Sequence, residues 1–199
     1  MKISFLASHG GSAAKHIIHA VKENKLDADI GVVITNNGGS EIYRWCKEKN
    51  VDVHYMSGKT HPDEGEKDSA IHQVLIDAET SIIVLSGYMK KIGPLTLSEY
   101  SNKILNIHPS LLPAHGGKGM FGDRVHESVI RSGDALSGAT VQFISEEYDE
   151  GPIISQQVVE LSPGETVETL KTKVQAIEGD LYLSAIQQVL HNKKRQCDV

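Results

Sequence analysis

The chain is short of the features that mark a membrane protein, a disulfide scaffold or a nucleic-acid binder. No apolar run approaches the ~20 residues needed to cross a bilayer. The opening MKISFLASHGG has one lysine and five or six apolar residues before a Gly-rich turn, too few for the apolar region of a signal peptide. Cysteine occurs only at 46 and 197, too sparse and too far apart for a disulfide framework or a zinc motif. Aromatic residues are 5%, so the core must be built from Ile, Val, Leu and Ala. The formal net charge of −6 gives no electrostatic footprint for nucleic acid. The one basic cluster, Lys193-Lys194-Arg195, reads as a solvated tail. The ten histidines include no His-Glu-x-x-His or other paired-ligand spacing, so no metal site is expected. These absences point to the cytoplasm.

What is present is a regular alternation. The 199 residues suffice for one large domain, and with no linker, repeat or low-complexity segment residues 1–199 read as one. Short apolar runs at Lys2–Ala7, Ala28–Thr35, Val51–Tyr55, Ser81–Leu85 and Lys103–His108 read as strands. Helical spacing lies between them over Ala13–Glu23, Glu41–Lys49 and Asp63–Asp77. That order predicts an α/β, doubly wound, mostly parallel sheet of Rossmann-like form with helices on both faces. After a helix at Val125–Arg131 the character changes. Gly138–Ser145 and Ile153–Leu161 read as an antiparallel strand pair. Thr166–Leu190 reads as one long helix with Leu170, Val174, Ile177, Leu181, Ala185 and Val189 on a stripe.

Two places carry chemistry. The first is Ser8-His9-Gly10-Gly11-Ser12, between the first strand and the first helix. Helix N-termini attract anions, and glycines let the backbone come close. The three-glycine dinucleotide fingerprint is absent, since His9, Gly11 and Ala14 occupy its positions and the second strand ends in Asn36-Asn37 rather than an acid. The loop therefore suits a lone phosphate better than NAD, or else is a tight turn capped by Ser12. The second is ILNIHPSLLP, Ile104 to Pro113. Asn106 and His108 share one side of a strand that ends in proline-fixed turns, and open α/β sheets bind ligands at the carboxyl ends of their strands. Each residue could simply be satisfied locally. The acidic loop Glu146–Glu150 ends at Gly151-Pro152 and could deliver one carboxylate, Asp149, to a histidine.

The segment Ile104-Leu105-Asn106-Ile107-His108-Pro109-Ser110-Leu111-Leu112-Pro113 resembles the signature of the folate-dependent formyltransferases, and Tyr148-Asp149-Glu150-Gly151-Pro152-Ile153 resembles the second catalytic segment of that family. The resemblance runs from Met1 to about Gln188. It takes in the Gly-Gly-Ser loop, Leu85-Ser86-Gly87-Tyr88-Met89, and Glu165, Gln175 and Glu178. The short single-domain branch that formylates glycinamide ribonucleotide in purine biosynthesis fits best.

The resemblance implies that an acceptor amine attacks the formyl carbon of the co-substrate 10-formyltetrahydrofolate, with no metal. Asn106 and His108 would stabilise the oxyanion of the tetrahedral intermediate. Asp149 would pair with His108, keep it protonated and order a water for proton transfer. Gly10, Gly11 and Ser12 would hold the acceptor's 5′-phosphate, with Gln175 and Glu178 reaching the same acceptor. Leu85, Met89, Ile92, Ser145, Glu146, Glu147 and Tyr148 would line the folate pocket. The partners would be small molecules, and the protein a monomer or homodimer.

The chain departs from the family pattern at Ala13, where Asn is common, and at Gln142 and Gly179, where His is frequent. Its Gly116–Gly122 stretch is longer than expected and reads as a flap or an ordinary surface loop, with Lys118 a candidate phosphate neighbour. Three other readings are a formyltetrahydrofolate hydrolase, an initiator-tRNA formyltransferase and a non-enzymatic nucleotide-binding module. The first is disfavoured because the chain starts directly at its first strand without a regulatory domain. The second lacks a basic C-terminal RNA-binding part. The third fits poorly with the degraded glycine spacing beside a full Asn106, His108 and Asp149 set.

Overall fold

The computed structural model describes residues 1–197, with side chains through residue 192, so the side chains of Lys193, Lys194, Arg195 and Cys197 lie outside it. The elements in chain order are β1 (Lys2–Ala7), α1 (Ser12–Lys22), β2 (Asp29–Thr35), α2 (Glu41–Glu48), β3 (Val53–Tyr55), α3 (Glu64–Asp77), β4 (Thr80–Ser86), α4 (Pro94–Glu99), β5 (Ile104–His108), α5 (Asp123–Ser132), β6 (Leu136–Phe143), β7 (Ile153–Glu160) and α6 (Val167–Cys197). The strands form a seven-stranded sheet in the order β3-β2-β1-β4-β5-β6-β7, mostly parallel, with helices on both sides. The chain divides into two compact units, Met1–Leu105 and Asn106–Val199.

In the first unit β1 pairs in parallel with β2 and β4. Its residues from Ile3 to Ala7 are all buried, because a central strand covered on both faces needs apolar side chains on both. α2 and α3 start where the sequence supplies caps. Ser40 Oγ accepts from Tyr43 N (3.3 Å) and Asp63 Oδ1 from Glu66 N (2.9 Å). The short helix α4 is not legible from periodicity. It is held by tertiary contact, with the buried Asp68 carboxylate accepting from Leu95 N (2.8 Å), Thr96 N (3.2 Å) and Thr96 Oγ1 (2.6 Å).

In the second unit β6 and β7 pair antiparallel from Leu136↔Glu160 to Gln142↔Ile153. The hairpin closes tightly at Gly151. A Cβ there would lie 1.8 Å from the Phe143 carbonyl oxygen, so no other residue fits. α6 outruns the predicted helix at its C-terminal end. Of its expected stripe, Leu170, Val174, Leu181, Ala185 and Val189 are buried, joined by Tyr182, Ile186 and Leu190, while Ile177 is only half-buried.

Candidate active site

Strand β5 delivers two polar side chains to its carboxyl end, and the turn after it is pinned to β6. Thr140 Oγ1 donates to Ser110 O (2.7 Å) and accepts from Leu112 N (3.0 Å), and Gln156 Nε2 donates to Leu112 O (3.0 Å). His108 is 4% exposed. Its Nε2 donates to the main-chain carbonyl of His115 (2.9 Å), and its Nδ1 lies 3.5 Å from Asp149 Oδ2. Asn106 is half-buried, and its amide makes no side-chain hydrogen bond among the described residues.

Asp149 is placed by the close Gly151 turn and itself adopts a left-handed backbone, φ 59°. Both carboxylate oxygens are held. Gln142 Nε2 donates to Oδ1 (3.1 Å), and Gly117 N, at the base of the Gly116–Gly122 loop, donates to Oδ2 (3.0 Å). Gln142 is 1% exposed, and its Oε1 has no partner among the described residues. The side chain at position 142 is thus a neutral amide that orients the carboxylate. The loop is likewise anchored at its base, with a turn closed by Met120 N to Gly117 O (3.0 Å), while Lys118 is exposed.

On α6, Gln175 is exposed and Glu178 is half-buried. Glu178 follows the buried Val174 by one turn and precedes the buried Leu181 and Tyr182, so it interrupts the apolar stripe. Burial pushes its carboxyl up to about 7.

In the first unit the loop after β1 has Gly11, not Ser12, at the cap position. Gly11 is left-handed (φ 63°, ψ 38°) and offers no side-chain cap; Ser86 Oγ, at the end of β4, accepts from Ala14 N (3.0 Å) in the first turn. Ser12 is the first helical residue and is exposed. Glu41 borders Gly10, and its charge is met by Lys15. Ser8, which carried no role in the sequence reading, ties three loops together. Its Oγ donates to Asn36 Oδ1 (2.6 Å) and accepts from Met89 N (2.8 Å), and its N donates to Gly87 O (3.3 Å). Leu85 and Ile92 are buried and Met89 is 47% exposed. Beyond the carboxyl ends of β2, β3 and β4 lies a cavity of about 320 Å³, lined by Lys59, Lys67 and Lys90 with Asn36, Tyr55 and Tyr88, and by no carboxylate. Ser145, Glu146, Glu147 and Tyr148, in the second unit, are exposed.

A doubly wound sheet with an amide, an imidazole and an oriented carboxylate at one strand end has the parts for group transfer through an oxyanion. Residues 1–186 match the family model described as Formyl transferase, and the chain belongs to that family. It is 33% identical over 189 residues to the chloroplastic phosphoribosylglycinamide formyltransferase of Arabidopsis thaliana, covering 93% of this chain but 64% of that protein's length. Against the phosphoribosylglycinamide formyltransferase of Bacillus subtilis (strain 168) the identity is again 33% over 189 residues, with 95% of this chain and 94% of the relative covered. The crystal structure of phosphoribosylglycinamide formyltransferase from Bacillus halodurans superposes with a TM-score of 0.86 at 33% identity, covering 96% of this chain and 95% of that one.

Proposed function

We propose that this protein transfers the formyl group of 10-formyltetrahydrofolate to the amine of glycinamide ribonucleotide, in purine biosynthesis, and that residues 1–199 act as a single formyltransferase domain. The observation that carries the reading is the approach of His108 Nδ1 to Asp149 Oδ2, 3.5 Å, on the strand end that also carries Asn106, whose side chain has no hydrogen-bond partner among the described residues, in a member of the formyl transferase family.

The chemistry needs an oxyanion stabilised and an amine proton removed. As the amine adds to the formyl carbon, the carbonyl oxygen becomes an anion, and Asn106 donates to it. His108 Nε2–H is engaged by the His115 carbonyl. A developing oxyanion is a stronger acceptor than a neutral carbonyl, so this proton transfers its allegiance as charge builds. A donor of this kind typically contributes ~10²–10³ in rate. Asp149, held by Gln142 and Gly117, stays aimed at Nδ1 and orders the water that takes the amine proton. Collapse of the intermediate breaks the bond from the formyl carbon to the folate nitrogen, that nitrogen takes up the proton the water received from the amine, and neutral tetrahydrofolate leaves.

Gly10, Gly11 and Ser12 bind the acceptor's phosphate through main-chain N–H groups at the start of α1, ahead of Ala14 N, which donates to Ser86 Oγ, and Gln175 and Glu178 bind the rest of it. A carboxyl poised at about 7 suits contact with an amine that must lose a proton. Leu85, Met89, Ile92 and Ser145–Tyr148 bind the folate. The reading involves no metal, and it places the protein in the cytoplasm as a monomer or homodimer. Among the described residues no helix is long and apolar enough to cross a membrane. Steady-state consumption of 10-formyltetrahydrofolate at increasing glycinamide ribonucleotide tests the assignment. Saturable dependence on the acceptor supports it. Equal consumption without acceptor contradicts it and indicates a hydrolase.

A further inference from the structure

We infer that His115 is a positioning residue for His108: its ring, gripped by Ser128 and Asp134, holds its own main-chain carbonyl against His108 Nε2 and so leaves Nδ1 as the nitrogen that faces Asp149. The inference rests on the proposed function only for its kinetic consequence.

Three observations support it. His115 has a left-handed backbone, φ 56°, which side-chain-bearing residues adopt at a cost, so something must retain it. The retaining contacts are to its ring. Nδ1 lies 2.8 Å from Ser128 Oγ on α5, and Nε2 lies 2.7 Å from Asp134 Oδ2, just past the end of α5. The ring is mostly buried. The His115 contact also holds the Asp134 carboxyl below its usual range, as a charge-assisted hydrogen bond does.

The consequence follows from which atoms can donate. An ionised carboxylate only accepts, so His115 Nε2 carries the proton directed at Asp134, and in the neutral ring Nδ1 accepts from the Ser128 hydroxyl. A carbonyl likewise only accepts, so His108 Nε2 must donate to His115 O at 2.9 Å. In a neutral His108 the lone pair is then on Nδ1, toward Asp149, and any proton exchanged on the carboxylate side passes through that nitrogen. A carbonyl fixed against one ring nitrogen settles both the tautomer and the orientation of the ring. Without the grip on its ring, His115 loses its reason to stay left-handed. The carbonyl then leaves, and His108 is free to adopt the other tautomer.

The test is long-range ¹H–¹⁵N NMR of the histidine ring nitrogens across a pH series in wild type, Asp134→Ala, Asp134→Asn and Ser128→Ala, with kcat and both KM values for each. Asp134 is well exposed, and Asp134→Ala should fold. Wild-type His108 should show the Nε2-protonated pattern when neutral. In Asp134→Ala that pattern should become mixed, and kcat should fall about tenfold or more with each KM within twofold. Asp134→Asn keeps an oxygen acceptor and should restore both. Ser128→Ala should move the pattern in the same direction as Asp134→Ala. An unchanged His108 pattern in both alanine variants overturns the inference. The NMR arm needs no substrate. A shifted pattern in a protein that transfers no formyl group would leave the positioning role standing and remove the functional reading instead.

Discussion

Asn106 is the residue whose loss should be purest in its effect. Its amide has no hydrogen bond among the described residues, so Asn106→Ala removes a donor to the oxyanion without orphaning a buried partner. The expected outcome is a ~10²–10³-fold fall in kcat with a near-native melting temperature. Asn106→Asp, the same size but with an acceptor where the N–H₂ stood, should be no better. Steady-state kinetics beside thermal melts check both, and an active Asn106→Ala removes the residue from the mechanism. Glu178 makes a pH prediction. Its carboxyl is raised from the ordinary 4.5 to about 7 by burial. The folded state thus holds the proton more tightly than the unfolded chain. The associated stability is full below about pH 4.5 and is lost as pH rises toward 7. Glu178→Gln should therefore melt like wild type at pH 4 and above it at pH 8, by about 1–2 kcal/mol after allowing for partial exposure, while raising acceptor KM. Equal melting of the two proteins at pH 8 would refute the burial account. Asn106 and His108 stand out in the sequence because a rigid strand-end motif carries them, and Asp149 because it sits beside the Gly151-Pro152 turn; the structure brings His108 and Asp149 to 3.5 Å of each other. Glu178 left a trace as an acid on an apolar stripe. The grip of Gln142 on Asp149 and of His115 on His108 left none, because each depends on a contact that only the folded chain creates.

At the level of elements, α1 and α4 give contrasting tests. α1 has no acid in its first turn and no cap from its own N-cap residue; Ala14 N donates to Ser86 Oγ (3.0 Å), and the N–H groups of Ser12 and Ala13 are left without a partner among the described residues. Ser12→Glu adds a carboxylate to that turn. An acid there favours the helix by ~0.3–1 kcal/mol, so stability should hold or rise slightly. The same charge repels a phosphate, so acceptor KM should rise and folate KM should not. An unchanged acceptor KM would take the phosphate away from this loop. Ser12 serves this test better than Gly11. A side chain at Gly11 would press on Ile42, with Cδ1 at 2.7 Å, in a backbone that disfavours it. α4 depends on Asp68. Asp68→Ala should cost about 2–3 kcal/mol in a denaturant melt, since three donors lose a buried charged acceptor. A loss under 0.5 kcal/mol would show that α4 stands without it. The same dependence hid α4 from the sequence. Six residues are too few for periodicity to show, and the carboxylate that holds their N–H groups lies 27 to 28 positions upstream on another helix. The alternative of Ser12 as the cap fails for a related reason. Its residue type fits, but the left-handed turn falls on Gly11 one position earlier.

For the whole molecule, strand and helix alternation made the fold class legible, because a strand buried on both faces and an amphipathic helix leave different periods in the chain. The division into two compact units did not show. Its boundary falls inside β5, between Leu105 and Asn106, where the composition stays strand-like and no linker marks it. The central claim is that a formyl group moves from a folate to the amine of a ribonucleotide. The direct measurement is ¹³C NMR of a mixture of the full chain, 10-formyltetrahydrofolate labelled in its formyl carbon, and glycinamide ribonucleotide. The account predicts that the label appears in the formamide of the acceptor as fast as the donor signal disappears. Label accumulating as free formate, with the acceptor unchanged, would contradict it.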